Sequence, residues 1–253
     1  MPHTSKYLNR FLSRTKAFVE DLEFADIISL MNEQNRLSDE TCLFWNIDPK
    51  KHTIISKRKI TYINRTLIIT HLKHTIYASF IKDIYEEFTE YLRSIAKEMA
   101  LTLKVSPERF VGDSKISINV KEVLNAGSWE KVVEMIVSNL FQSLESVRST
   151  KDLITAIKNR LNIQIDQQLI DNAMPYLDMR HILVHADGKA DKKFMERYPN
   201  LQYENNKNDI ALNFSVINDA RTNIKDLVKA IDLDCTSKGL IKANIPPNTK
   251  KTK

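Results

Sequence analysis

Glycine is the scarcest signal in this chain. Only four of 253 residues are glycine, Gly112, Gly127, Gly188 and Gly239, where average usage gives about 18. Four so far apart form neither a GxGxxG nor a GxxxxGK loop, which excludes Rossmann and P-loop nucleotide sites. A fold of many tight hairpins is disfavoured too, because those turns consume glycine. The two cysteines, Cys42 and Cys235, are too few for a disulfide framework or a four-thiolate zinc site. Lone thiols fit a reducing cytoplasm. No apolar run approaches the roughly 20 residues that span a bilayer. The opening MPHTSKYLNRF lacks the apolar stretch of a secretory signal. Together these absences predict an all-α protein with little or no β, cytoplasmic and free of the membrane.

Acid is missing from one long window. Residues 49–82 contain no Asp or Glu, yet carry Lys50, Lys51, Lys57, Arg58, Lys59, Arg65, Lys73 and Lys82. These charges exceed the net +6 of the whole chain, so the remainder is slightly acidic. Such a stretch is the footprint of a polyanion-binding surface. A solvated basic face without a partner has the same composition.

What is present is helical periodicity. Leu8, Phe11, Leu12, Phe18, Val19, Leu22, Ala25, Ile28 and Met31 predict one amphipathic helix over 5–35. A short element starts at 38–41 and is broken by Asp48-Pro49. Residues 50–64, rich in β-branched side chains, read as a short strand pair or as the lead-in to a helix. The spacing of Leu67, Leu72, Ile76, Phe80, Ile84, Phe88, Leu92 and Ile95 predicts a helix over 65–100 with a kink, given its length. Ser106-Pro107 starts another helix. KISINV at 115–120 alternates like a strand, and helices follow from Gly127-Ser128 and from Thr150. Residues 166–186 are helical with a kink or a fresh start at Pro175, ended by Asp187-Gly188. A loop to 209 and a helix over 215–232 follow. The tail to 253, rich in Pro and Lys, is expected to be disordered.

The segment with chemical potential is Arg180-His181-Ile182-Leu183-Val184-His185. His181 and His185 are one helical turn apart and share a face, whereas Arg180 and His185 diverge by about 140°. One helix therefore does not join Arg180 to His185; two such helices across a two-fold axis can, as a composite site in a homodimer. Three readings compete. The histidine pair matches two ligands of a helical zinc site, but lacks the HExxH glutamate and a third ligand. The residues can be ordinary helix-end cations flanking core aliphatics. Or His transfers protons while Arg clamps a phosphate in a metal-free ribonuclease.

The pattern of Arg, a polar residue, three further residues and His resembles the signature of HEPN domains. The wider stretch LDMRHILVHADGKADKKFMERYP is similar to the RiboL-PSP-HEPN branch related to the ribonuclease L nuclease domain. There the motif reads RH-x-x-VH, then Asn or Asp, Gly and a further Asp, matched here by His181, Asp187, Gly188 and Asp191 with the spacing lengthened by one. Members also carry an acidic residue in an F-E-x-Y-L-like context, imperfectly matched by Phe88-Thr89-Glu90-Tyr91-Leu92, with Glu90 the first choice and Glu87 the reserve. The resemblance spans about 65–235. It divides the chain into an N-terminal helical extension (1–60), a HEPN domain (61–235) and a basic tail (236–253).

The resemblance implies an up-down helical bundle that dimerises and cleaves RNA without metal or cofactor, through attack of the 2′-hydroxyl on the adjacent phosphate. His185 would exchange protons with the nucleophile or leaving oxygen, having a reference pKa near 6.5. Arg180 would stabilise charge on the phosphoryl oxygens. His181 would orient or assist, and Glu90 would position Arg180. Lys57, Arg58, Lys59 and Arg65 would gather the strand, with Tyr62 stacking on a base. Such a protein acts as a toxin or phage-defence effector, with an antitoxin or regulatory partner. The rival is a HEPN-like module that binds RNA or protein without cutting.

Overall fold

The computed structural model describes residues 4–37, 47–58, 61–112, 118–145, 150–204 and 208–244. Among them are nine α-helices and no sheet, so the class is all-α. Helix α1 (Lys6–Glu33) begins where the Ser5 hydroxyl accepts from the backbone N–H groups of Tyr7 and Leu8, both at 3.1 Å. Its Leu8, Phe11, Leu22 and Ala25 are buried, the face its three-four spacing predicts. A single turn of 3-10 helix (Ile55–Lys57) leads toward α2, so the described part of the 50–64 segment is a lead-in and not a strand pair.

Helix α2 (Tyr62–Leu101) is the axis of the molecule. It starts at Thr61, whose hydroxyl accepts from Asn64 N–H, and runs as one helix of 40 residues, about 60 Å at 1.5 Å per residue. From Tyr77 onward it is buried nearly all round: Tyr77, Phe80, Ile81, Ile84, Phe88, Leu92, Ile95 and Met99 contact the rest of the core. The N-terminal third buries only Arg65 and Ile69, and it is tied to α1 by bonds from Asn32 to Thr66, Asn32 to Arg65 and Asp26 to Lys73. Helices α3 (Pro107–Val111), α4 (Val120–Asn125), α5 (Trp129–Glu145) and α6 (Thr150–Leu161) follow. Then come α7 (Gln167–His185), α8 (Lys192–Arg197) and α9 (Phe214–Ser237). Helices α1, α5, α6, α7 and α9 all pack on α2, and α7 packs on α9.

Several expectations change. Helix α7 runs through Pro175 without ending, so there is no fresh start there. The loop after Gly188 contains α8, which six residues were too few to signal by periodicity. The strand reading of 115–120 fails at its described end, since Val120 opens α4; residues 113–117 and the short element at 38–46 lie outside the described residues. The extension at 1–60 shares its core with the rest, because Leu8, Phe11 and Leu22 belong to the main cluster.

The tail is corrected as well. Helix α9 continues to Ser237, Ile241 is buried, and Ala243 pairs with Ser5 in an antiparallel bridge. Asn244 N–H donates to the Thr4 carbonyl at 2.7 Å, and Lys242 N–H to Glu98 Oε1 at 2.8 Å. Residues 245–253 lie outside the described residues.

Behind this closure lies Asp232, 1% exposed. Its carboxylate accepts from Ser5 N–H at 2.9 Å, from the Ser5 hydroxyl and from the Tyr91 hydroxyl at 3.2 Å. Removing it strands three buried donors. Asp232→Ala is therefore expected to cost about 3–5 kcal/mol, read as a lower urea midpoint.

Six described tyrosines, Tyr7, Tyr77, Tyr91, Tyr176, Tyr198 and Tyr203, hold their phenolic protons more tightly than usual. Burial is the main cause for each, reinforced by Glu98 beside Tyr7, Asp26 beside Tyr77, Asp232 beside Tyr91 and Asp178 beside Tyr198. Their folded pKa values lie above the unfolded value near 10, so the folded state keeps more protons in alkali and stability falls as pH rises past that value. The urea midpoint is expected to hold to about pH 9.5 and drop steadily above pH 10.

Candidate active site

Helix α7 delivers the Arg180–His185 segment. Asp166 starts it, its carboxylate accepting from Gln168 N–H at 2.9 Å. It stops at His185 because Asp187 and Gly188 turn left-handed, with φ of +51° and +80°. Gly188 N–H then returns to the Ile182 carbonyl at 3.2 Å. A Cβ at Gly188 would meet only Leu183 Cδ2 at an ordinary 3.8 Å. The positive φ, not space, calls for glycine there.

His181 and His185 are both exposed, with ring centroids 4.7 Å apart and planes inclined by 48°. His185 sits in the last turn of α7 and His181 one turn earlier. Ile182 and Leu183 between them are buried and Val184 is 43% exposed. Among the described residues no third His, Cys, Asp or Glu joins them to complete a metal-ligand group.

Arg180 points elsewhere. Its guanidinium lies over the Tyr85 ring, 5.2 Å from the centroid, and Nη2 meets Glu86 Oε1 at 3.4 Å. Its Nε is buried without a hydrogen-bond partner among the described residues. The guanidinium is thus held by a ring face and one long ion pair, with donor capacity to spare. The structure brings the two histidines together and turns Arg180 to α2, as the 140° divergence predicts.

The acidic partner of Arg180 is Glu86, not Glu90. Glu90 is occupied one turn further along α2, by Arg93 at 3.4 Å and Arg10 at 3.9 Å. The reserve choice, Glu87, pairs with Arg14 at 2.7 Å. Three carboxylates crowd this stretch of α2, and only the register of α2 against α7 selects among them. No pattern within α2 encodes that register.

The expected RNA-gathering residues also divide. Lys57 and Arg58 are exposed, and Tyr62 is 48% exposed. Lys59 lies outside the described residues. Arg65 is corrected: it is 2% exposed, with Nε donating to Asn32 Oδ1 at 2.9 Å and its guanidinium near the Tyr62 ring. Residue 65 falls on the face of α2 that packs against α1, so its charge serves the helix pair. Tyr62 and Tyr85 are separated along α2 by about 35 Å, so the basic turn stands far from Arg180.

Sequence reasoning passed over a nearer set of cations. Lys189, Lys192, Lys193 and Arg197 follow directly after the histidines and are exposed. Arg197 Nη1 meets Asp178 Oδ2 at 3.5 Å, the carboxylate that also accepts from the Tyr198 hydroxyl. Asp178 stands one turn before His181 on α7. The run KADKKFMER was the available signal, outweighed by the longer acid-free window upstream.

No protein-family model, curated protein or solved structure matches this chain. Among the described residues, no helix is long and apolar enough to cross a membrane.

Arg65→Ala is expected to destabilise the protein by about 2–4 kcal/mol, because it orphans the buried Asn32 amide oxygen and opens the α1–α2 contact. Reversing Lys57 and Arg58 to Glu is expected to change stability by less than about 0.5 kcal/mol; on the polyanion-binding reading of the acid-free window it weakens RNA binding with a flatter salt dependence. Urea titration and a binding series in rising salt check both.

Proposed function

We propose that this protein is a metal-independent endoribonuclease of the HEPN kind, acting in the cytoplasm as a toxin or phage-defence effector. The observation that carries the reading is the exposed His181–His185 pair beside Arg180, whose Nε is unpaired. The resemblance of LDMRHILVHADG to the HEPN signature supports it further.

The reaction needs a base at the 2′-hydroxyl, positive charge at the phosphoryl oxygens and a proton for the departing 5′-oxygen. The 2′-oxygen attacks the adjacent phosphorus, the bond to the 5′-oxygen breaks, and a 2′,3′-cyclic phosphate and a 5′-hydroxyl remain. Neutral His185 accepts the 2′-hydroxyl proton or, as imidazolium, supplies the proton taken by the 5′-oxygen. His181, one turn away, assists the same transfers. Arg180 offers donors to the phosphoryl oxygens, with Glu86 in the positioning part expected of Glu90. The need for a 2′-hydroxyl restricts the substrate to RNA.

Because Arg180 and His185 diverge on one helix, the reading takes a homodimer in which Arg180 of one protomer meets His185 of its partner. An antitoxin or regulatory protein restrains it. One observation favours the rival, a binding module that does not cut: Arg180 is turned to Tyr85 and Glu86.

Purified protein incubated with total RNA in EDTA separates the two. Fragments ending in a cyclic phosphate are expected, with His185→Ala and Arg180→Ala each lowering cleavage by at least about a hundredfold. Their melting temperatures should stay near that of the parent, since both side chains are at least partly exposed. His181→Ala should be milder. Wild-type cutting by His185→Ala would overturn the assignment, and strict dependence on added Zn²⁺ or Mg²⁺ moves the histidines to the metal reading.

A further inference from the structure

A cleft of about 690 Å³ opens between α7, α9 and the segment that follows α8. On α9 it is lined by Asp219 and Asn223, and on α7 by Asn172 and Tyr176. Arg197 and Tyr198 line its other wall. It shares α7 with the histidines, and through Asp178 its Arg197–Tyr198 wall is anchored one turn, about 5 Å of helix, before His181.

The feature that calls for a ligand is Asp219. It is half-buried, has no ion-pair partner among the described residues, and its carboxylate receives no hydrogen bond there; Asn223 donates instead to its backbone carbonyl, at 2.8 Å. It stands beside the half-buried Tyr176, whose phenol is pushed above its usual range by burial and then by the Asp219 charge. A carboxylate in this position seeks donors. Meanwhile the cations that line the cleft, Arg197 and Lys151, are exposed at its surface. Asp219 is recessed among amides and tyrosines, and the rim carries two cations against one exposed carboxylate, Asp171, so a base inward and a phosphate outward fit the charge.

We infer that this cleft binds a single unpaired guanine of the RNA strand, with Asp219 reading its Watson–Crick edge and Arg197 holding an adjoining phosphate. The choice of base follows from donor arithmetic. A carboxylate only accepts, and guanine alone presents two adjacent donors, N1–H and the N2 amine, so both oxygens are used. Adenine and cytosine offer one amine beside a ring acceptor, and uracil sets its N3–H between two carbonyls. Each of those places an acceptor against the carboxylate. Tyrosine faces supply stacking that any base accepts, and unpaired bases are the form in which RNA is read by sequence. The inference rests on the ribonuclease reading only in taking the guanine to belong to a strand whose next phosphate reaches the histidines.

The test uses the full chain and mononucleotides, so that it does not need cleavage. Guanosine 5′-monophosphate and the three other ribonucleoside monophosphates are titrated by ligand-observed NMR. The guanine nucleotide is expected to bind on the order of tenfold more tightly than the others. Asp219→Asn should remove that preference, while Arg197→Gln should weaken all four alike. Sequencing of RNA fragment ends gives a second readout: wild-type cuts cluster at a fixed offset from guanosine, and Asp219→Asn scatters them. Equal binding of the four nucleotides by the wild-type protein overturns the inference, as does a preference that survives Asp219→Asn in a protein with unchanged circular dichroism. Selective guanine binding without any RNA cleavage sinks the ribonuclease reading and leaves the cleft standing; cleavage without base preference does the reverse.

Discussion

A buried carboxylate with no cation beside it among the described residues ties the start of α1 to α9 and α2. Asp232 accepts from the Ser5 backbone, the Ser5 hydroxyl and the Tyr91 hydroxyl, so one side chain of α9 fixes the start of α1 and the middle of α2. Glu98 on α2 repeats the device, accepting from the Tyr7 hydroxyl and from Lys242 N–H. Donated hydrogen bonds do here what an opposite charge does elsewhere: they make burial of an anion tolerable. The consequence reaches the candidate site. Helix α7 packs against both α2 and α9, so the register that sets Arg180 over Tyr85 depends on the pair of helices that Asp232 locks.

That register explains the division of labour on α7. A helix ending in exposed histidines and backed by buried aliphatics has one face toward solvent and one toward the core, and Arg180, turned to Tyr85 and Glu86, belongs to neither. Its guanidinium is parked on an aromatic ring with a long ion pair, an arrangement that costs little to leave, because exposed pairs of this kind contribute at most about 1 kcal/mol. A more negative partner, such as a phosphate, competes well for such a guanidinium.

Periodicity made the helices legible and left the polar roles obscure. The apolar spacing of α1, α2 and α9 locates their buried faces, and Ser5, Thr61 and Gly188 mark ends by chemistry that acts within a few residues. Arg65, Glu86 and Asp232 were not legible in the same way. Each is decided by what lies across a helix–helix contact: Asn32 opposite Arg65, Arg180 opposite Glu86, Ser5 opposite Asp232. A long-range partner leaves no trace in local spacing, so an arginine in a basic window looked like surface and a carboxylate one turn away looked equivalent. The tail misled for a related reason. Its Pro- and Lys-rich composition describes 245–253, whereas Ile241 and Ala243 just before it are held by contacts with the far end of the chain.

Distance then reorders the basic surfaces. On the ribonuclease reading proposed above, a strand gathered at Lys57 and Arg58 must cover about 35 Å of α2 before reaching Arg180. Lys189, Lys193 and Arg197 follow His185 by four to twelve residues in the chain, and Arg197 lies on α8, which Asp178 ties to α7. Electrostatic attraction between exposed charges fades over a Debye length of about 8 Å in physiological salt. The distant turn can therefore add affinity for long RNA, but it cannot orient a phosphate at His185. On the same reading, orientation has to come from groups within one or two nucleotides of the reacting bond, and the cations within and just before α8 are the candidates.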